Sequence, residues 1–276
     1  MNQKFSVAMS VYKNDIPEHF ERALESITSQ QTILPDEIVL VVDGPISFEL
    51  NRVIEIYSLR YSMFKVIRLK ENCGLGNALK VAVENCSNEL IARMDSDDIS
   101  VPTRFEQQLH YFSKNESIDV LGGNIAEFIG TEDNIVAYRD VPLDDCEIRE
   151  YLKKRCPLNH VSVMFRKDAV QKAGGYIELH WNEDYYLWIR MVEQNCVMAN
   201  TGTVLVKVRI GADMYKRRAG KRYFQSEKYL QDYMLKKKMI CYGDYVSNVL
   251  KRWIVQCVLP NSIRGFVFRK LARKGA

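Results

Sequence analysis

The chain has 276 residues, of which 47% are hydrophobic and 27% charged, an ordinary globular composition that excludes a chain too polar to bury a core. The net charge is +4, but residues 216–276 carry 16 Lys and Arg against 3 Asp and Glu, whereas residues 1–215 carry 23 against 32. An acidic body with a basic tail indicates an anionic surface as a partner.

Strand and helix patterns alternate through the first hundred residues. Four apolar, β-rich runs predict buried strands at residues 5–12, 37–42, 64–69 and 89–94. Between them, apolar residues recur at helical spacing and predict helices at residues 18–30, 49–59 and 76–85. This alternation predicts an α/β fold with a mostly parallel central sheet flanked by helices.

The pattern loosens beyond Pro102. Helices are predicted at residues 104–114, 147–154 and 183–194, with a helical turn at 168–173 that a glycine pair closes. Strands are predicted at residues 120–128, 162–166 and 204–209. The sequence beyond Lys221 is interpreted as wholly helical, basic and aromatic.

The cysteines and the apolar runs indicate the cellular compartment in which the protein is expected. The seven cysteines contain no CxxC pair, which argues against a disulfide framework or a zinc site and favours free thiols. The apolar stretch after Lys4 is too short for a signal peptide. The longest apolar run near the end, residues 253–259, is far shorter than the roughly 20 residues that span a bilayer. We therefore expect a cytosolic protein without a transmembrane helix.

An acidic stretch, Asp95-Ser96-Asp97-Asp98, directly follows the fourth predicted strand. Three carboxylates so close together repel one another when ionised and require a cation. They lie at the carboxyl end of a strand, where open α/β sheets bind ligands, and oxygen ligands there suit Mg²⁺ or Mn²⁺ shared with substrate phosphates. The alternative is a solvated turn in which Ser96 or Asp98 caps the next helix.

Five segments, in this order, resemble the family 2 glycosyltransferases, whose fold is GT-A. They are residues 10–14 (SVYKN), 42–44 (VDG), 72–78 (NCGLGNA), 95–98 (DSDD) and 181–190 (WNEDYYLWIR). The likeness covers roughly residues 5–220 and is nearest to bacterial transferases that build O-antigen, capsule or exopolysaccharide units. It implies a catalytic domain at 1–220, with a nucleotide-binding half to residue 100 and an acceptor half beyond, followed by a basic helical extension at 221–276.

The resemblance implies a site for a nucleotide-sugar donor, UDP-linked by the family pattern, in which Asp43 accepts a hydrogen bond from the uracil imide. The residues of this site are Ser10, Val11, Tyr12, Asp43, Asn72, Gly74, Asn77, Arg93, Asp95 and Ser96. Four of these residues have a plainer alternative: Asp43 is a turn residue, Tyr12 belongs to the core, Gly74 supplies a positive φ and Asn77 caps a helix. Val42 stands where many relatives have a first acid.

The resemblance also assigns the metal and the diphosphate. Asp97 is the metal ligand, and Asp95 binds the ribose side or a metal-bound water. A bound Mn²⁺ or Mg²⁺ offsets the charge of the diphosphate leaving group. Arg93 either touches the donor or forms a structural ion pair with Asp95. Arg217 and Arg218 close over the diphosphate, or belong to a solvated basic loop.

Asp184 is implied as the general base of an inverting transfer, with Glu183 as the competing candidate. Their alternative role is to complement the dipole of the helix that they open. His160, Trp181 and Trp188 are implied on the acceptor side, and an ordinary buried histidine is the alternative for the first.

The implied acceptor is a saccharide on a polyprenyl diphosphate at the inner face of the cytoplasmic membrane. The tail interleaves cations with aromatic residues at 221–224, 236–238, 251–253 and 266–270, which suits a helix in an anionic lipid interface. The alternative is a charged helix packed on the catalytic domain. No motif indicates nucleic acid.

Two rival functions lack their expected signals. A sugar-phosphate nucleotidyltransferase would carry a glycine-rich, basic signature in the first loop, which residues 10–14 do not have. A catalytically silent saccharide-binding subunit should have lost Asp97 or Asp184, and both are present.

Overall fold

The computed structural model describes residues 3–211, 220–259 and 274–275. The strands are β1 (Phe5–Val11), β2 (Glu37–Val42), β3 (Phe64–Arg68), β4 (Leu90–Met94), β5 (Ile99–Ser100), β6 (Val120–Phe128), β7 (Ile135–Arg139), β8 (Met164–Arg166), β9 (Met198–Arg209) and β10 (Lys274–Gly275). The helices are α1 (Pro17–Ile27), α2 (Phe48–Arg60), α3 (Leu75–Asn85), α4 (Arg104–Lys114), α5 (Asp145–Leu152), α6 (Lys167–Lys172), α7 (Glu183–Glu193), α8 (Lys221–Lys236) and α9 (Tyr242–Trp253).

One sheet runs in the order β10-β7-β6-β8-β4-β1-β2-β3, and β9 pairs with both β6 and β5. The half formed by β3, β2, β1 and β4 is parallel. The other half is mixed, because β8 runs antiparallel to β4 and β6, whereas β9 runs parallel to β6. The predicted α/β fold is confirmed, and its parallel part is the amino-terminal half.

The parallel strands are buried on both faces, so their side chains feed two cores. Alternate residues of β1 point to opposite sides: Val7 and Met9 join the core under α1, α2 and α4, whereas Ala8 joins the core under α3 and α7. Both helix layers therefore hold the same strands, and the ends of these strands are fixed relative to one another.

Local sequence explains where several helices begin. Pro17 occupies the first turn of α1, where its missing N–H costs no hydrogen bond. Ser47 caps α2 by accepting a hydrogen bond from the Leu50 N–H at 3.2 Å, and Asp144 caps α5 through the Glu147 N–H at 2.9 Å. These short-range signals begin the helices within one or two residues of the predicted starts, whereas α1 ends at Ile27, three residues before its predicted end.

The carboxyl ends of β1, β2 and β4 meet at one edge of the sheet. Val11 is in register with Val42, and Met9 with Met94. The loops after these strands are consequently neighbours, as expected for a ligand-binding edge of a parallel sheet.

The structure corrects several predicted elements. The strands β5, β7 and β10 were missed, and because β10 lies beyond residue 221, that part of the chain is not wholly helical. The strand β9 begins at Met198 rather than residue 204, and β8 begins at Met164 after a helical turn at His160–Ser162. The acidic stretch caps no helix, because β5 follows it and α4 begins only after Thr103.

Helix α8 packs on the α/β domain, against α7. Leu230 and Met234 belong to the same core as α7, and the Tyr233 hydroxyl donates to a Glu193 carboxylate oxygen at 2.5 Å. Tyr223, one of the predicted lipid contacts, is buried. For this helix the alternative of packing on the domain is the one observed. Within the described residues, no helix is long and apolar enough to cross a membrane.

Candidate active site

The acidic loop, residues 95–98, follows β4 and is held from β9. The buried Asp98 carboxylate accepts a hydrogen bond from the Arg209 backbone N–H at 2.8 Å. The Arg209 Nε donates to the Asp97 carbonyl oxygen at 3.2 Å, while the Asp97 carboxylate is exposed. The loop is therefore fixed by the protein and open to a ligand at Asp97.

Asp95 forms an ion pair with the buried guanidinium of Arg93. Burial alone would lower the pKa of Arg93, but the Asp95 carboxylate holds that pKa above its ordinary value. The Arg93 Nε is buried and has no hydrogen-bond partner within the described part of the chain. The structural ion pair that the sequence left open is thus present, and it fixes Asp95 at the mouth of the site.

Asp15 adds a carboxylate that the sequence reasoning missed. It accepts hydrogen bonds from the Tyr12 N–H and the Ser96 hydroxyl, both at 2.9 Å, and so ties the loop after β1 to the acidic loop. Burial, with a contribution from the charge of Asp95, raises the pKa of Asp15 to about 6. Desolvation by the surrounding protein, and then the charges of Asp95 and Asp15, raise the pKa of Asp97 to about 6.

These carboxylates suit a divalent cation whose remaining ligands come from a bound substrate and water. Within residues 3–211, 220–259 and 274–275, no group of three or more His, Cys, Asp or Glu side chains forms a ready metal site. Mg²⁺ and Mn²⁺ commonly use one or two carboxylates and complete their shell with water and phosphate oxygens. Asp97, whose pKa is raised by desolvation and then by like charges, presents an exposed carboxylate that can be such a donor.

Asp43, at the end of β2, organises the loop before α3. Its buried carboxylate accepts hydrogen bonds from the Cys73 N–H at 2.7 Å, the Asn72 side-chain amide at 2.9 Å and the Gly74 N–H at 3.1 Å. A carboxylate has about four acceptor positions, so about one remains for a ligand. Gly44 is required beside it, because a Cβ there would lie 2.6 Å from the Asn72 nitrogen.

The start of α3 is closely covered by the chain that leads to α7. The Glu178 carboxylate accepts a hydrogen bond from the Gly76 N–H at 2.9 Å. A Cβ on Gly74 would lie 2.8 Å from the same carboxylate, and Gly74 has a φ of +89°, as the alternative interpretation expected. Asn77 lies inside α3 rather than at its cap, and its side-chain amide donates to the Cys73 carbonyl at 2.8 Å.

The two acids that open α7 have different surroundings. Glu183 is buried, and this burial, followed by the charge of Asp184, raises its pKa to about 8. Asp184 is half-buried and accepts a contact from the Cys156 thiol at 3.7 Å. At neutral pH, Glu183 is therefore mostly protonated.

Tyr176 lies between the acidic loop and the start of α7. Its hydroxyl is 2.8 Å from the His160 Nε2. Burial raises the pKa of Tyr176; the Arg93 charge opposes this rise, and the charges of Asp184 and Asp95 add to it. Burial, and then Arg93, holds the pKa of His160 well below its ordinary value, so this imidazole is neutral. The acidic loop and the start of α7 thus both lie near the same buried side chain.

Comparison with known proteins shows which family this chain belongs to. The profile described as Glycosyl transferase family 2 matches residues 6–173. The chain belongs to this family. The UDP-Gal:alpha-D-GlcNAc-diphosphoundecaprenol beta-1,3-galactosyltransferase of Escherichia coli is 36% identical over 271 residues, which cover 98% of this chain and 97% of that protein.

Two further proteins resemble this family 2 glycosyltransferase. The amylovoran biosynthesis glycosyltransferase AmsE of Erwinia amylovora is 40% identical over 232 residues, covering 84% of this chain and 85% of the relative. The structure of S. aureus TarS residues 1–349 in complex with UDP-GlcNAc has a TM-score of 0.66 and 17% identity, covering 91% of this chain and 73% of that one. The latter likeness supports the GT-A fold.

The aromatic residues that the sequence predicts on the acceptor side differ in exposure. Trp181 is exposed and has a positive φ of 58°, an unfavourable conformation for a side chain of this size. Trp188 is fully buried and packs edge-on against His160, with ring centroids 6.1 Å apart. The prediction that Trp188 contacts an acceptor is therefore corrected: Trp188 supports His160 instead.

The donor-side prediction is corrected at one position. The Val11 side chain is buried in the core, and its carbonyl accepts a hydrogen bond from the Asp43 N–H at 2.8 Å. Ser10 and Tyr12 are half-buried beside it. Arg217 and Arg218 lie outside the described residues.

Proposed function

We propose that this family 2 glycosyltransferase transfers a sugar, with inversion and metal dependence, from a UDP-sugar to a lipid-linked saccharide in bacterial surface polysaccharide synthesis. The observation that carries the proposal is that the Arg93–Asp95 pair and Asp184 both act on the buried Tyr176, which brings the acidic loop and the start of α7 to one site. An inverting displacement needs these two groups on opposite faces of the sugar.

The donor half of the proposal rests on Asp43 and the acidic loop. The unfilled acceptor position of Asp43 is available to the uracil imide, and the loop from Asn72 to Gly74 lies against it. The E. coli relative uses UDP-Gal by its name, and TarS binds UDP-GlcNAc, which supports a uridine donor. A divalent ion held by Asp97, with Asp95 nearby, would offset the negative charge of the departing diphosphate.

The acceptor half of the proposal assigns Asp184 as the base. The Asp184 carboxylate takes the proton of the acceptor hydroxyl, whose oxygen forms a bond to the anomeric carbon. The bond from that carbon to the phosphate oxygen breaks, and UDP leaves with its electron pair. Glu183 is less suited to this role because a pKa of about 8 leaves it mostly protonated at neutral pH.

The proposed acceptor is a saccharide joined through a diphosphate to a polyprenyl lipid. The E. coli relative acts by its name on GlcNAc-diphosphoundecaprenol, and it matches this chain over almost its full length. Trp181 is exposed just before the acids of α7 and offers an aromatic face to a sugar ring. We therefore place the enzyme at the cytoplasmic face of the inner membrane, as a peripheral protein.

Transfer can be tested directly with purified protein. UDP-Gal, UDP-GlcNAc, UDP-Glc and GDP-mannose are each incubated with a short-chain GlcNAc-diphospholipid and Mn²⁺, and products are measured by mass spectrometry. We expect one UDP-sugar to be transferred, and the anomeric configuration, read by NMR, to be inverted. Transfer from GDP-mannose alone would contradict the assigned role of Asp43, and a retained configuration would contradict that of Asp184.

A further inference from the structure

Helix α9 has its polar side chains turned toward the protein. The Asn248 amide donates to the Lys153 carbonyl and to the Gln231 side chain, both at 3.0 Å. One turn later, Arg252 donates to the Lys154 carbonyl at 2.8 Å and pairs with Glu227 at 3.1 Å. Gln256, another turn on, donates to Glu227. Their four-residue spacing defines one helix face, and that face is the inner one.

The outer face of α9 and of the following π-helical turn is apolar. Tyr242 is 72% exposed, Leu250 51% and Trp253 47%. The full stripe at this spacing consists of Tyr242, Val246, Leu250, Trp253, Ile254 and Val258. On a helical wheel with 100° per residue, Lys251 and Asp244 lie at the border of this stripe rather than within it. A helix on the surface of a globular protein normally has the opposite orientation.

The charge of the carboxyl-terminal sequence favours a lipid surface over a protein partner as the occupant of this stripe. From residue 236 to the end, the sequence has ten Lys and Arg and one Asp or Glu. Protein interfaces are depleted in lysine, whereas cations beside an apolar face with Trp and Tyr are typical of interfacial helices. The helix and turn, Tyr242–Val258, are about 25 Å long, and no described helix is suited to crossing a bilayer.

We propose that the outer face of α9 lies in the headgroup region of an anionic bilayer. This rests on the proposed function only in that a lipid-linked acceptor requires the enzyme at a membrane. Of the segments that the sequence indicated, residues 251–253 belong to α9, whereas Tyr223 on α8 is buried against the protein. Apolar side chains of such helices enter about 5–10 Å below the headgroups.

Helix α8 joins this surface to the active site. Its Ser226 hydroxyl donates to the His180 carbonyl at 2.8 Å and accepts from the Asn182 amide at 2.7 Å. These residues flank Trp181 and immediately precede the proposed base. A membrane-bound α9 would consequently hold the acceptor side of the site at a fixed height above the lipid.

Vesicle sedimentation of the full-length protein tests the proposal. We compare phosphatidylglycerol/phosphatidylethanolamine vesicles with pure phosphatidylcholine, using the parent, Leu250→Glu and Leu250→Glu/Trp253→Glu. The matched control is Leu59→Glu, because Leu59 on α2 is 90% exposed but lies outside the stripe. We expect binding to anionic vesicles to weaken about tenfold for the single variant and further for the double variant, and to be unchanged in the control.

Circular dichroism and transfer to a water-soluble acceptor should be unchanged in these variants, which separates this proposal from the proposed function. A parent that ignores anionic vesicles, or a double variant that binds them as tightly as the parent does, overturns the proposal. Light scattering adds a third check: a parent dimer that Leu250→Glu dissociates would assign the stripe to a second copy and also overturn it.

Discussion

Replacing Glu183 by glutamine should stabilise the protein at alkaline pH. Glu183 is buried, and its pKa rises from 4.5 to about 8 in the folded protein because burial, and then Asp184, disfavour its charge. The folded protein consequently binds this proton more tightly than the unfolded chain does. The contribution of Glu183 to the free energy of unfolding is complete below pH 4.5 and is lost as the pH rises through 8.

The magnitude follows from the same pKa values. At 1.36 kcal/mol per pKa unit, the loss is on the order of 5 kcal/mol, a large part of the roughly 5–15 kcal/mol that stabilises an ordinary domain. Glutamine has nearly the shape of glutamate but carries no charge. Glu183→Gln should therefore unfold with a free energy near that of the parent at pH 5, and exceed the parent by a few kcal/mol at pH 9.

Urea denaturation from pH 5 to pH 9, followed by circular dichroism, measures both proteins. Glu49→Gln serves as the matched control, because Glu49 also lies in the first turn of a helix but is exposed, and its substitution should leave the pH dependence unchanged. Equal pH dependence in parent and Glu183→Gln would refute the reasoning. Transfer activity of the same variant gives a second readout, since a protonated Glu183 is not the base and most turnover should remain.

Three further predictions concern the site and its support. Asp184→Asn should keep UDP binding by calorimetry but lose about 10²–10⁴-fold in turnover, and near-parental turnover would reassign the base. Asp97→Asn should lose most turnover while remaining folded, and parent activity should disappear with a chelator and return with Mn²⁺; full activity in excess chelator would contradict a metal role. Leu230→Ala should lower the free energy of unfolding by about 2–5 kcal/mol, because Leu230 is fully buried between α8 and the domain, whereas a loss below about 0.5 kcal/mol would mean that α8 is not part of the folded unit.

The parallel half of the fold was predictable because its signals are local. Each of β1, β2 and β4 is a continuous apolar run, and the helices between them show regular apolar spacing. The missed strands lack such signals. Only Ala137 of β7 is buried, and β10 consists of two residues that pair with β7 across more than 130 residues of sequence. No local pattern predicts a pairing of that kind.

Sequence by itself determined which loops share an edge of the sheet, since parallel strands that follow one another through helices end on the same side. That is enough to bring Asp43 and the acidic loop together. It also determined that the chain carries paired acids at the start of α7, because Glu183 and Asp184 precede an apolar helical pattern.

The tertiary structure alone decided which side chains meet. Asp15 bonds to Ser96 across 81 residues, and Tyr176 receives the charges of both acidic groups from segments far apart in the chain. The orientation of α9 was decided in the same way. The sequence of α9 is amphipathic, but this pattern does not say which face packs against the protein. The carbonyls of residues 153 and 154 need donors, so Asn248 and Arg252 turn toward the protein and Leu250 is left outside.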